Sequence, residues 1–148
     1  MSSVYSLHGD SYSAERCMDG EQFGDDSICQ TGKGPAPWIA FDLGEEMKVG
    51  SVVIFIGDDT REALNFDVRM TPALPKDGEN KFSGGTSLGD FNGTRGQCQR
   101  ILIKSPTPQS GRYVFIQKNP DGAEGYLSFQ EVLIFEPSQD LPGVYKLE

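Results

Sequence analysis

Short apolar runs, each alternating or β-branched and each closed by glycine or proline, constrain this chain most. In Trp38–Leu43 an extended backbone puts Trp38, Ala40 and Asp42 on one face and Ile39, Phe41 and Leu43 on the other. Val49–Ile56 is β-branched and almost wholly apolar, the pattern of a strand covered on both faces. Asn65–Thr71 alternates through Phe66, Val68 and Met70, and Arg100–Lys104, Arg112–Gln117 and Ser128–Glu136 complete the set. Gly44, Gly57, Pro75, Gly78, Gly84, Gly85, Gly111 and Gly122 stand between them as breaks. The 18 glycines and 9 prolines among 148 residues suit many short strands and turns rather than a helical bundle. No stretch carries a convincing amphipathic helix, and the helical crossovers of a parallel sheet have no room. The expected class is all-β, an antiparallel β-sandwich.

The length suits one domain, expected over 1–137, with 138–148 as a tail or linker. Two stretches, Gly20–Pro37 and Pro72–Gly96, are expected to be long loops, and long loops in compact domains tend to be functional. A formal net charge of −9 argues against nucleic-acid binding and against docking on an anionic membrane. It is compatible with calcium, a basic partner or a neutral sugar. No apolar run reaches the ~18 residues of a spanning helix, which argues against membrane insertion, and no basic-then-apolar leader opens the sequence. Cys17, Cys29 and Cys98 allow at most one internal disulfide. Asn92-Gly93-Thr94 fits the glycosylation acceptor pattern.

Catalytic groupings are poor. The single histidine, His8, lies far upstream, the thiols have no histidine nearby in sequence, and no phosphate-binding glycine loop is present. The expectation is a binding module, not an enzyme. Acidic loops are the more promising chemistry. Asp19-Gly20-Glu21 is followed by Gly24-Asp25-Asp26-Ser27, and calcium takes roughly six to eight oxygen ligands from carboxylates and sharply turned carbonyls. An EF-hand counted from Asp19 fails, because its fifth and twelfth positions fall on Phe23 and Gln30.

Four motifs in order carry a resemblance over Ala14–Phe135: Asp19-Gly20, Pro37-Trp38-x-x-x-Asp42-Leu43-Gly44, Gly111-Arg112-Tyr113-Val114 and Glu131-Val132-x-x-Phe135. Together they resemble the discoidin or coagulation-factor C-type domains and the fucose-binding F-type lectins, jelly-roll sandwiches of the galactose-binding-like fold. The resemblance implies a structural Ca2+. Its ligands would be the side chains of Asp19 and Glu131, the carbonyls of Arg16, Glu21 and Gln130, and the region of Ser27. It also implies a ligand site on loops at one end of the sandwich, here Gln30–Pro35, Gly57–Leu64 and Asn92–Gln97. Thr31 falls where F-type lectins have a histidine, and Asp58 and about Asn65 fall where they have basic residues. The groups available at those loops are Thr31, Lys33, Asp58, Asp59 and Arg61, suited to sugar hydroxyls or to a basic peptide. Phe23 and Tyr126 are candidate aromatic faces for a sugar, and Trp38 is assigned to packing. Many relatives have a cysteine just before the last-strand glutamate, paired with the one matching Cys29. Gln130 stands there in this chain, which leaves Cys17 with Cys29 or Cys29 with Cys98 as substitutes.

The expected function is a calcium-stabilised, lectin-like carbohydrate-binding or adhesion module, extracellular or on a cell surface. The alternative is a protein–protein interaction module of a larger surface or scaffold protein that has lost sugar binding. Three reduced cysteines would instead suit an intracellular protein.

Overall fold

The computed structural model describes residues 6–7, 10–11, 13–20, 28–56, 63–74, 84–94, 100–119 and 125–137. In chain order the elements are β1 (Ser6–Leu7), β2 (Asp10–Ser11), a 3-10 helix (Ala14–Met18), β3 (Cys29–Gln30), β4 (Trp38–Phe55), β5 (Ala63–Thr71), β6 (Thr86–Thr94), β7 (Arg100–Lys118), β8 (Ser128–Phe129) and β9 (Glu131–Phe135). β1 pairs with β2 and β3 with β8, while β6-β5-β7-β4-β9 form a five-stranded sheet. Every pairing is antiparallel.

The large sheet supplies both layers of the sandwich. β4 and β7 run side by side along their length, with irregularities between Asp42 and Met47 and between Val49 and Ser51. Bulges of this kind bend a ladder and let a strand pass from one layer to the other. On one side of the bend β5 pairs with the 113–118 half of β7; on the other side β9 pairs with the 51–55 half of β4. Ile39, Phe41, Val114 and Ile116 from the first half share one buried cluster with Val52, Ile54, Ile101 and Ile103 from the second. The ladder therefore folds back over its own core. Trp38, where β4 begins, and Phe55, where it ends, both lie at the end opposite the bend.

Three expectations about strands are corrected. The runs expected as separate strands at 38–43 and 49–56 are one bent strand, as are those at 100–104 and 112–117. Gly111 is thus not a break. A Cβ there would lie 2.9 Å from the Thr71 nitrogen, so glycine lets β5 and β7 approach at the bend. Pro72–Gly96 is not one long loop, because Thr86–Thr94 forms edge strand β6. Its polar sequence hides it: Leu88 reaches the core and Phe91 packs against it, while Thr86, Ser87, Asp90 and Asn92 face solvent. Finally, the run expected as one strand over Ser128–Glu136 breaks at Gln130. Its N–H donates to the Phe55 carbonyl as the chain crosses from β3 to β4.

The bend is braced by two of the sequence motifs. Asp42 accepts from Arg112 Nε at 2.9 Å and Nη2 at 3.0 Å, and from the Gly44 N–H at 2.8 Å. The forked guanidinium matches both carboxylate oxygens. Trp38 stacks on fully buried Phe115 with ring centroids 5.3 Å apart, the packing role expected of it.

Candidate functional site

The site is built where the 3-10 helix meets the start of β9. Cys17 and Cys29 form a disulfide, which settles the open pairing. Both are fully buried in the core cluster. After the helix the chain turns at Gly20, whose φ of +87° is a left-handed conformation that favours glycine. The Asp-Gly pair is therefore a conformational requirement, and it faces Asp19 and the Gly20 N–H toward Glu131.

Glu131 opens β9 opposite Phe55 and is 2% exposed. The Gly20 N–H donates to its carboxylate, and the Asp19 carboxylate lies within hydrogen-bonding reach of it. Its Oε2 is buried with no partner. Burial foremost, then the negative charge of Asp19, pushes the Glu131 carboxyl up to about 7. Without a counter-ion, the Glu131 carboxyl keeps its proton to higher pH than an ordinary glutamate does. Two carboxyls brought together and one orphaned oxygen are the arrangement that a hard cation resolves, since each oxygen then gains a positive partner.

The donor set fits calcium in kind. Asp19 is exposed and opens the pair to solvent, Glu131 closes it from the core side, and Arg16 and Gln130 adjoin them in sequence. The expected ligands Glu21 and Ser27 lie outside the described residues. Among the described residues no group of three or more His, Cys, Asp and Glu side chains converges, so carbonyl oxygens would have to complete the shell.

The expected ligand-binding residues are only partly placed. Asp58, Asp59 and Arg61 lie outside the described residues, as does Phe23. Lys33 is exposed on the segment between β3 and β4. Thr31 is fully buried: its N–H donates to the Leu127 carbonyl at 3.0 Å, and its hydroxyl accepts from the Leu127 N–H at 3.0 Å. It braces the loop from beneath. Gly34 pairs with Gly125, the Lys118 N–H donates to Pro37, and the Asn119 N–H donates to Asn65. The 31–37 segment is thus pinned to the 125–127 segment and to the end of β7, on the same end of the sandwich as Asp19 and Glu131. Two features escaped the sequence reading. One is the internal duty of Thr31, which no local pattern signals. The other is Lys118, 6% exposed, whose stem lies over Gly125 so closely that a Cβ there would meet its Cε at 2.6 Å.

A concavity of about 390 Å³ is lined by Met18, Leu43 and Met47 together with residues of β9 that include Glu131, Ile134 and Phe135.

No protein-family model matches the sequence, and no curated protein matches it. Solved structures do match. A fucolectin from striped bass (Morone saxatilis) serum superposes with a TM-score of 0.72 at 20% identity, over 89% of this chain and 44% of that one. A fucose binding module of Streptococcus pneumoniae gives 0.64 at 22%, over 90% and 86%. The Clostridium perfringens module CpGH89CBM32-6 gives 0.62 at 16%, over 90% of each. The fold is that of discoidin domains and F-type lectins, the galactose-binding-like β-sandwich.

Proposed function

We propose that the chain is a calcium-stabilised, lectin-like carbohydrate-binding or adhesion module, with its ligand site on the loops at the end of the sandwich away from the bend. The observation that carries the calcium is the buried, unpartnered Glu131 Oε2 beside the Asp19 carboxylate. Asp19, Glu131 and the carbonyls of Arg16, Glu21 and Gln130 would hold the ion, with Ser27 adjoining. Its role is structural: it joins the segment after the 3-10 helix to the first residue of β9. The ligand reading is supported by the fold neighbours, whose names include a fucolectin and a fucose binding module. Lys33 with Asp58, Asp59 and Arg61 supplies the polar contacts. The module works outside the cell, where millimolar calcium and an oxidised Cys17–Cys29 pair are both sustained.

Calorimetric titration of calcium chloride into chelator-stripped protein, with thermal melts alongside, tests the metal. Binding and a raised melting temperature, both lost in Asp19→Ala and Glu131→Ala, are expected. Absence of binding removes the metal. A glycan array probed in calcium, with Asp58→Ala and Arg61→Ala as controls, tests the ligand site.

One observation favours a second reading, a protein–protein module that has lost sugar binding. Thr31 stands where F-type lectins have their histidine, and it is fully buried with its hydroxyl occupied.

A further inference from the structure

We propose that the Cys17–Cys29 disulfide is the positioning element of the Asp19–Glu131 pair, so that its oxidation state and the divalent-cation affinity of the site are thermodynamically linked. This rests on the reading of Asp19 and Glu131 as cation ligands.

The placement of the bridge carries the inference. Cys17 stands two residues before Asp19. Cys29 is the register partner of Phe129, which stands two residues before Glu131. The Cys17 sulfur also lies 3.2 Å from the Phe129 carbonyl oxygen. The covalent link thus ties the segment that ends in the first carboxylate to β3, and the ladder of β3 with β8 and the contact of the Cys17 sulfur with Phe129 carry that tie to the segment that ends in the second. The bridge spans 12 positions, and Asp19, Glu21 and Ser27 all fall within that span.

Glu131 is held by the ladder of β9 with β4, so the bridge matters most for Asp19. Asp19 follows a five-residue 3-10 helix, an element with poor hydrogen-bond geometry and little stability of its own. β3 and β8 are two residues each, too short to hold register alone. Asp19 and Glu131 come from segments far apart in the sequence. The disulfide holds them together in advance, so the cation does not have to supply that ordering when it binds. Because the linkage is between two equilibria, it is reciprocal: if the bridge raises calcium affinity by some factor, calcium must favour the bridge by the same factor.

The test uses the whole chain in a Cys98→Ser background, which prevents exchange with the third thiol. Calcium chloride is titrated calorimetrically into the chelator-stripped oxidised protein and into the same protein reduced with a phosphine. At least a tenfold rise in Kd on reduction is expected, with the β-sheet circular dichroism kept. A Cys17→Val/Cys29→Ala variant, which refills the core without the bridge, serves as the comparison if the reduced chain unfolds. The oxidised protein is then equilibrated in glutathione buffers with and without saturating calcium. A tenfold linkage lowers the disulfide midpoint potential by about 30 mV. Asp19→Asn, which keeps the bridge and loses a ligand, should abolish that shift, whereas a bridge with a purely structural role would show none in either protein. Equal calcium affinity in the oxidised and reduced forms, with no shift, overturns the linkage and leaves the metal site standing. Failure of the oxidised protein to bind calcium at all overturns the metal reading itself, and the linkage with it.

Discussion

A carboxyl group 2% exposed beside a second carboxyl makes stability depend on pH in an unusual direction. Most folded-state carboxylates are shifted down and stabilise the protein above their ordinary pKa. Glu131 is shifted from 4.5 up to about 7, so the folded chain holds the proton more tightly than the unfolded one. Its contribution is complete below 4.5 and is lost as pH rises through about 7. Chelator-treated protein is therefore expected to melt at a higher temperature at pH 5 than at pH 8. Glu131→Gln should flatten the profile by removing the loss at pH 8. Calcium in excess should reverse the trend, since it binds the ionised pair. Melts across that range in chelator and in calcium check all three, and an unchanged slope in Glu131→Gln would show that another group sets the pH dependence. Asp42 has the opposite sign. Hydrogen bonds from Arg112 first, then from Gly44, hold its carboxyl down at about 2. What it contributes is present above its ordinary 3.8 and lost as pH falls through about 2. The pair is solvent-exposed, so its effect on stability is small and the titration itself is the better readout. Arg112→Ala should raise the Asp42 midpoint, followed by carboxyl NMR, toward its ordinary value, with the Gly44 N–H keeping part of the depression.

Among the elements, the 38–55 and 100–118 ladder determines most of the architecture, and its chemistry was largely legible in sequence. Alternation marked Ile39 and Phe41 as one face, and both are in the core; the β-branched run marked 49–56 as covered on both sides, and all of it is buried. The motifs around Asp42 and Arg112 turn out to be two halves of one brace. What sequence hid is pairing: that two runs are one bent strand, and that Thr86–Thr94 is an edge strand. Backbone hydrogen bonds make those choices, and they leave no mark in a polar side-chain pattern. The site was legible as a pair, Asp19 and Glu131, through the motifs. The Cys17–Cys29 pairing was one of two that the sequence left open, and the burial of Thr31 was not legible, because it depends on where the chain after β3 meets the chain before β8. That junction offers a test of packing. Phe66 is fully buried and meets Phe129 of β8 edge-on, with ring centroids 5.6 Å apart. Phe66→Ala should cost about 3–5 kcal/mol by denaturant titration. The slope of the transition should stay unchanged, because the same surface is exposed on unfolding.

At the scale of the whole molecule, charge distinguishes the two readings proposed for the loop tips, a glycan ligand and a protein partner. The chain carries a formal net charge of −9, and the loop expected to meet ligand contributes Asp58, Asp59 and Glu62 against Arg61. A basic protein partner would be drawn to such a surface by long-range attraction, and salt would weaken that attraction as the screening length falls from about 10 Å at 0.1 M to about 3 Å at 1 M. A neutral glycan would be held by directional hydrogen bonds and ring contacts at close range, where screening matters little. Affinity for the ligand found on an array or in a protein screen should therefore be measured at low and at high sodium chloride, with calcium held saturating so that the metal site does not itself report the salt. The carbohydrate reading expects a Kd that changes less than about threefold, and a weakening in Lys33→Ala and Arg61→Ala that is the same at both salts. A steep loss of affinity with salt, carried mainly by the association rate and removed by Asp58→Asn with Asp59→Asn, would instead identify the acidic loop as a protein-docking surface.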